Sequence, residues 1–98
     1  MTGAITSSLS TTFQLPTHSN AQNANEIKLS VDAAAYVNFN GNASSTNGFL
    51  IPANTVVDFD PFLGDKVYAI VSGGATVDVP KNIYIAYFMN KHTDYGWR

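Results

Sequence analysis

The sequence predicts an all-β protein, a compact antiparallel β-sandwich or small barrel of about six to eight short strands with an extended N-terminal arm. Three observations indicate this class. Apolar and polar residues alternate along several segments, which is the side-chain period of a strand. Gly, Asn and Pro separate those segments and are typical of turns. No segment has the spacing of an amphipathic helix.

The first 25 residues differ from the rest because they contain no Asp, Glu, Lys or Arg. Their larger apolar anchors are Ile5, Leu9, Phe13 and Leu15. A segment so poor in apolar residues is a weak candidate for independent folding. We therefore predict an uncharged, loosely attached arm over 1–25 and a single β domain over 26–98. An edge strand around Thr11 to Leu15 is the alternative.

The clearest strand pattern runs from Glu26 to Asn40. Its odd positions are all apolar, and most of its even positions are polar. A single strand of that length would exceed the usual range of roughly 3 to 10 residues. We therefore predict a bend near residues 30–34 and two strands, over 26–31 and 34–40.

The next stretch, NGNASSTNGFLIPANT, begins with small and amide-bearing residues and then becomes apolar. We interpret its polar half, residues 40–48, as a turn in which Asn and Gly supply positive φ angles. A second interpretation makes it a contact loop whose partner-facing side chains are Asn42, Ser44, Ser45 and Asn47. The apolar residues 49–51 are expected to return to the core, and Pro52 to end that strand.

The rest of the chain holds four more strand-like segments. They are TVVDFDP, DKVYAIVS, a short strand after a hairpin turn in SGGATVDV, and NIYIAYFMN. The last of these belongs to an apolar and aromatic C-terminal part, residues 80–98. Both of its faces are apolar, so we expect one face to pack on another chain. Because most soluble oligomers are symmetric homo-oligomers, self-association is the first expectation.

Charge and composition exclude several classes of function. The charged fraction of 12% is about half the usual share, so uncharged polar residues must cover much of the surface. Five Lys and Arg residues and a net charge of -2 provide no basic surface for nucleic acid or for a membrane. The chain has no Cys, no apolar run long enough to span a bilayer and no signal-peptide pattern. We expect a soluble, non-exported protein.

No motif for catalysis or for a cofactor is present, so we predict a non-enzyme without a cofactor. His18 and His92 lie far apart and lack the spacing of metal ligands. The weak metal candidate is a set of three carboxylates, Asp58, Asp60 and Asp65, which could offer oxygen ligands to Ca²⁺. Aspartates beside turns are more often solvated, so the prediction is that no metal binds here.

Aromatic and apolar side chains are the best candidates for binding a partner. The predicted partner-binding residues are Phe13, Leu15, Tyr84, Tyr87, Phe88, Tyr95 and Trp97. Aromatic residues are enriched in interface cores. The C-terminal aromatic residues could alternatively form a platform that binds carbohydrate. We favour the interpretation that they fill the core and an interface.

The order of segments between Ala21 and Val79 resembles small structural proteins of tailed bacteriophages. The shared pattern consists of AQNAN, IKLS, AYVNFN, a small-residue loop, FLIPANTVVDF, LGDKVYAIVSGG and TVDV. The resemblance implies a virion protein that decorates or cements the head shell. Its implied partners are the major capsid protein of the same phage and copies of itself, with a trimer favoured.

The same resemblance implies a location on the phage head surface after synthesis in the bacterial host cytoplasm. Residues 1–20 and 80–98 lie outside the shared pattern and are expected to be specific to the partner. The alternative function is a tail- or fibre-associated binding module, possibly one that binds carbohydrate.

Overall fold

The computed structural model describes residues 1–16, 24–60, 62, 64–73 and 79–89. These residues form eight β-strands and no helix, so the all-β prediction is confirmed. The strands are β1 (Thr2–Ile5), β2 (Thr11–Gln14), β3 (Ala24–Val31), β4 (Ala35–Asn38), β5 (Phe49–Ile51), β6 (Val57–Phe59), β7 (Lys66–Val71) and β8 (Lys81–Met89). Within the described ranges there is accordingly no helix that could cross a membrane.

The strands form two four-stranded antiparallel sheets. Sheet A has the order β1-β8-β3-β6, and sheet B has the order β2-β7-β4-β5. Four of the pairings, β1 with β8, β2 with β7, β3 with β6 and β4 with β5, describe a chain folded back on itself as one long hairpin. Two further pairings, β3 with β8 and β4 with β7, roll that hairpin into the two sheets. This is the topology of an eight-stranded jelly roll.

Backbone hydrogen bonds hold the connections together at the two ends of the sandwich. At one end, the Val71 amide donates to the Thr6 carbonyl and the Ser72 amide donates to the Ala34 carbonyl, both at 2.8 Å. At the other end, the Leu15 amide donates to the Asp65 carbonyl at 2.7 Å. The β4–β5 connection, residues 39–48, is the closed tip of the rolled hairpin.

The core lies between the two sheets and uses the side chains that alternation predicts. The odd positions of β3, namely Ile27, Leu29 and Val31, are fully buried, as are Ala35 and Val37 of β4. The strands predicted over 26–31 and 34–40 are therefore confirmed in position and in facing. Burial of this kind is the main favourable contribution to folding.

Four phenylalanines close the edge of the sandwich between β5 and β6. The ring centroid of Phe39 lies 4.9 Å from that of Phe59, 5.0 Å from that of Phe62 and 6.2 Å from that of Phe49. The predicted return of residues 49–51 to the core holds for Ile51, while Phe49 remains 56% exposed and Leu50 is exposed as well. Leu50 is exposed because it points away from the face on which Ile51 is buried, and Phe49 is exposed because β5 is an edge strand with no neighbour on one side within the described sheet.

The extended arm predicted for residues 1–25 is not confirmed. Residues 2–5 and 11–14 are edge strands of sheets A and B, and Ile5 and Leu15 are buried in the core. The alternative, an edge strand around Thr11 to Leu15, matches β2. An uncharged segment with few apolar residues can be ordered in this way because backbone hydrogen bonds from β7 and β8 need no side chains. Residues 17–23 lie outside the described part of the chain.

The hairpin turn predicted at Gly73 and Gly74, with a short strand after it, falls mostly outside the described residues and stays a prediction. The strands on either side, β7 and β8, belong to different sheets, so this connection crosses between the sheets. Residues 74–78 lie outside the described ranges, and Val79 is not part of a strand. A pair of glycines indicates a turn but does not say which strand comes next to which.

Candidate functional site

The 40–48 loop, at the tip of the rolled hairpin, has a defined internal structure. Ser44 and Asn47 form an isolated antiparallel bridge, in which the Asn47 amide donates to the Ser44 carbonyl at 3.2 Å. The Asn47 side-chain amide donates to the Asn42 carbonyl at 3.1 Å, and the Thr46 amide donates to the Ser44 hydroxyl at 3.3 Å. The exposed tip, residues 45–46, is therefore closed by hydrogen bonds within the loop.

The loop is also anchored to the body of the protein. Ala43 is only 3% exposed, and its amide donates to the Ser10 hydroxyl at 3.0 Å. Ser10 immediately precedes β2, which is separated from β4 by β7 in sheet B, so the loop reaches across the sheet. At the end of the loop, a Cβ on Gly48 would lie 2.9 Å from the Val37 carbonyl oxygen. The loop thus occupies the residues predicted for the turn and is in addition anchored to the body of the protein.

The predicted loop contacts lie together on this element. Asn42, Ser45 and Asn47 are exposed, and Ser44 is half-buried. These side chains provide hydrogen-bond donors and acceptors without charge. The arrangement suits contact with a polar, uncharged partner surface and offers no group for acid–base chemistry.

A second candidate surface is the outer face of sheet A, formed by the side chains that point away from sheet B. Tyr84 and Phe88 of β8 lie on this face and are 42% and 41% exposed. An open groove of about 380 Å³ crosses it. Its lining residues are Met1, Thr2, Lys28, Leu29, Ser30, Val56, Tyr84, Ile85 and Ala86. Because the lining is mainly apolar, this groove suits an apolar or aromatic contact.

The structure divides the predicted partner-binding residues into three groups. Tyr84, Tyr87 and Phe88 are exposed and lie close together on β8. Leu15 is buried in the protein's own core, and Phe13 is half-buried on the inner face against Gly3, so neither side chain faces outward. Tyr95 and Trp97 lie outside the described residues, as do His18 and His92.

Val56 is a surface residue that the sequence reasoning missed. It is exposed beside the groove, directly before β6. The signal that could have found it is the doublet of Val56 and Val57, because adjacent residues of a strand point to opposite faces. One of the two valines therefore had to face away from the core.

Acidic side chains gather where β3 meets β6. Asp58 pairs with Lys28 across the two strands, with 3.8 Å between the Lys28 Nζ and an Asp58 carboxylate oxygen. Glu26 is buried on the same side of β3. A hydrogen bond with the Glu26 carboxyl, followed by burial and by repulsion from Glu26, raises the pKa of Asp58 above its ordinary value, and Lys28 only partly opposes this.

The three aspartates considered for calcium are not brought together as a group of ligands. No group of three or more His, Cys, Asp or Glu side chains within the described ranges is arranged to hold a metal ion. Asp65 lies with Gln14 and Lys66 instead: the Gln14 side-chain amide donates to an Asp65 carboxylate oxygen at 3.2 Å. This hydrogen bond is the main reason why the pKa of Asp65 is lowered, with Lys66 adding to the effect.

Asp58 and Asp65 should have opposite effects on the pH dependence of stability. The raised pKa of Asp58 favours the folded state below about pH 4, and that contribution is lost as the pH rises through the folded-state pKa. The lowered pKa of Asp65 favours the folded state above about pH 4, and that contribution is lost as the pH falls through the folded-state pKa. Asp58→Asn should therefore raise the melting temperature at pH 7, and Asp65→Asn should lower it.

The measurement is thermal unfolding of both variants and of the unaltered protein between pH 3 and pH 7. Both differences should shrink as the pH falls, and the one at Asp65 should persist to lower pH because the pKa of Asp65 is lowered whereas that of Asp58 is raised. Two variants that shift the melting temperature in the same direction at pH 7 would contradict the assignment of opposite pKa shifts.

The two candidate surfaces are a hydrogen-bonded polar loop and an aromatic sheet face, both carried by the jelly-roll framework. No protein-family model matches the chain, and no curated protein or solved structure matches it either.

Proposed function

We propose that this chain is a non-enzymatic structural protein of a bacteriophage virion, a decoration or cement protein that binds and stabilises the head shell. The proposal begins from the resemblance between Ala21 and Val79 and small structural proteins of tailed phages. Its partners are the major capsid protein of the same phage and further copies of this chain. Its place is the outer surface of the head, after synthesis in the bacterial cytoplasm.

The strand order is the observation that carries the proposal furthest. The orders β1-β8-β3-β6 and β2-β7-β4-β5 form a jelly roll, an architecture that occurs in viral capsid proteins. Lectins and cupins share the architecture, so the jelly roll supports a capsid-associated function by analogy. The analogy agrees with the resemblance, although the two rest on different features: one on the order of segments along the chain, the other on the pairing of strands.

The surface of the protein supports the same function. A shell protein needs contacts and no chemistry, and the 40–48 loop provides a hydrogen-bonded, uncharged contact element. Many copies that each make a weak contact can bind a shell tightly, because linked contacts act at high effective concentration. The low charged fraction of 12% suits contacts of this kind, which involve little desolvation of charge.

Copy number in purified virions tests this function. We expect the protein at hundreds of copies per particle, measured by quantitative mass spectrometry against the major capsid protein. Absence from the particles would overturn the proposal. A dozen copies or fewer would favour the alternative, a tail- or fibre-associated module.

The groove on the outer face of sheet A favours that alternative as a carbohydrate-binding module. Its volume of about 380 Å³ lies within the range of roughly 300–1,000 Å³ that ligand sites occupy. Tyr84 offers a ring face, and its hydroxyl lies 3.4 Å from a carboxylate oxygen of Asp32. Binding of the isolated protein to immobilised glycans, lost in Tyr84→Ala, would support the carbohydrate module over the shell protein.

A charged loop tip should weaken binding to the shell. Ser45→Lys places a cation on the exposed tip, where an uncharged partner surface would have to desolvate it. We expect affinity for purified head shells to fall at least about tenfold, a loss of roughly 1.4 kcal/mol. The matched control is Ser8→Lys, since Ser8 is an exposed serine in the β1–β2 connection.

Both variants should keep the melting temperature of the unaltered protein, because neither side chain is buried. Co-sedimentation with shells measures the affinity. Equal binding by Ser45→Lys and Ser8→Lys would show that the loop tip does not touch the shell.

A further inference from the structure

The 40–48 loop contains two Asn-Gly pairs, Asn40-Gly41 and Asn47-Gly48. An asparagine followed by glycine is prone to react with its own main chain, because glycine has no Cβ to obstruct the amide nitrogen that attacks the asparagine side chain. Asparagine is accordingly one of the thermolabile residues. The two pairs have the same sequence, so a difference in their reactivity must come from their surroundings in the fold.

The reaction is a deamidation, and its geometry is strict. The main-chain nitrogen of the glycine bonds to Cγ of the asparagine, the bond from Cγ to the side-chain nitrogen breaks, and that nitrogen leaves as ammonia with the proton of the glycine amide. Water then opens the cyclic imide at either carbonyl carbon and gives aspartate or isoaspartate. The attacking nitrogen must come close to Cγ, which requires rotation about the main-chain and side-chain bonds of the asparagine.

Hydrogen bonds oppose this rotation at Asn47. Its main-chain amide donates to the Ser44 carbonyl at 3.2 Å, and its carbonyl, in the same peptide unit as the attacking nitrogen, accepts from the Ser44 amide at 3.4 Å. Its side-chain nitrogen, the leaving group, donates to the Asn42 carbonyl at 3.1 Å. The glycine is crowded as well, because a Cβ on Gly48 would lie 2.9 Å from the Val37 carbonyl oxygen. Reaction at Asn47 therefore requires the loop to open first.

These restraints are missing at Asn40. The residue is exposed and lies after the end of β4. Among the described residues, none forms a hydrogen bond with its side chain or with the Gly41 amide. A Cβ on Gly41 would have no described atom beyond its chain neighbours within 4 Å, so the space around this glycine is open. No described contact thus opposes the approach of the Gly41 nitrogen to Cγ of Asn40.

We propose that Asn40 is a site of spontaneous deamidation in the folded protein and that the fold protects Asn47. The site is at the base of the loop, shortly before the anchored Ala43. Either product adds a negative charge to a loop that has no charged residue, and isoaspartate also lengthens the main chain, which then runs through Cβ. The loop therefore changes from an uncharged to an acidic surface as the protein ages. This inference goes beyond the proposed function and does not depend on it.

Peptide mapping by mass spectrometry tests the proposal on the unaltered protein. The folded protein is incubated at mildly alkaline pH, which favours the deprotonated amide that attacks, and the conversion of the side-chain amide to a carboxyl is followed separately at Asn40 and Asn47. We expect Asn40 to react at least about tenfold faster than Asn47, since misplaced reacting groups lose rate on this scale. In urea, where the surroundings of both pairs are lost, the two rates should become similar.

Glutamine variants show which asparagine produces the new charge. Asn40→Gln keeps a neutral amide, but the longer side chain would have to close a larger ring, which is much slower. Asn47→Gln is the matched control. Isoelectric focusing after incubation should show acidic species in the unaltered protein and in Asn47→Gln, and far less of them in Asn40→Gln. Both side chains are exposed, so both variants should keep the fold.

Three results would overturn the proposal. One is an Asn40 that stays intact in the folded protein while it reacts in urea. Another is an Asn47 that reacts as fast as Asn40 in the folded protein, because its hydrogen bonds would then give no protection. The last is an acidic species that forms as fast in Asn40→Gln as in the unaltered protein. None of these results would bear on binding to a head shell, so failure of this inference and failure of the proposed function can be told apart.

Discussion

Replacing Phe39 with alanine should lower the free energy of unfolding by about 3 kcal/mol, at the lower end of the range for truncating a phenylalanine. Phe39 is at the centre of the aromatic cluster between the two sheets. Its ring meets those of Phe59 and Phe62 nearly edge to face, at interplanar angles of 81°. Aromatic pairs in that geometry contribute beyond the area they bury.

The size of this effect follows from the position of the ring. Phe59 belongs to the edge strand of sheet A, Phe49 to the edge strand of sheet B, and Phe62 to the β6–β7 connection. Phe39 touches all three, so its removal leaves a cavity that no single neighbour can fill. For a domain of this size, the melting temperature should fall by more than about 10 °C.

Phe49→Ala is the matched control. Phe49 is in the same cluster but is largely exposed. Its truncation should therefore lower the free energy of unfolding by well under half as much as truncation of Phe39 does. Chemical denaturation of both variants measures the difference. A loss below about 1 kcal/mol in Phe39→Ala, within the range of ordinary surface substitutions, would mean that the cluster does not join the two sheets as described.

Replacing Gly3 with alanine should lower the free energy of unfolding by about 2 kcal/mol, as overpacking in a core does. The new Cβ would lie 2.8 Å from Cζ of Phe13 and closer still to Cε1. Gly3 is on β1 of sheet A, and Phe13 is on β2 of sheet B, so the ring fills the space that the missing side chain leaves between the sheets. The sign is diagnostic, because alanine ordinarily stabilises a strand relative to glycine.

A double-mutant cycle tests whether Phe13 is the cause. In the Phe13→Leu background, Gly3→Ala should lower the free energy of unfolding by much less, since the shorter leucine side chain leaves room for the new Cβ. Ala4→Ser on the neighbouring exposed position is the control and should be nearly neutral. Equal losses in both backgrounds would assign the effect of Gly3→Ala to something other than the Phe13 ring.

Local pattern predicted most of the strands because the facing of a side chain is a local property. Within each of β3 and β4 the apolar odd positions had to share one face in any fold, and the structure buries those from Ile27 to Val31 and those at Ala35 and Val37. The same alternation put Ile83 and Ile85 on one face of β8 and Tyr84 and Phe88 on the other. Because both faces are apolar, only the structure decided that Ile83 and Ile85 meet the core.

The N-terminal strands were not accessible in the same way. Residues 2–5 have little side-chain signal, and what orders them is a ladder to β8, whose partner residues are about 80 positions away. The anchoring of the 40–48 loop could not be predicted either. Nothing in the sequence around Ala43 indicates that its amide donates to the Ser10 hydroxyl. A contact between residues distant in the chain cannot be predicted from the sequence of either segment alone.

The amino-acid sequence establishes the all-β class, the low charge, the facing of the central strands and the presence of a polar loop before the FLI strand. Which strands become neighbours, and with them the jelly roll and the anchoring of the 40–48 loop, depends on the three-dimensional structure. The physical reason is that alternation assigns faces, whereas pairing depends on backbone groups that are the same in every residue except proline. Only the folded arrangement of the chain determines which of those groups meet.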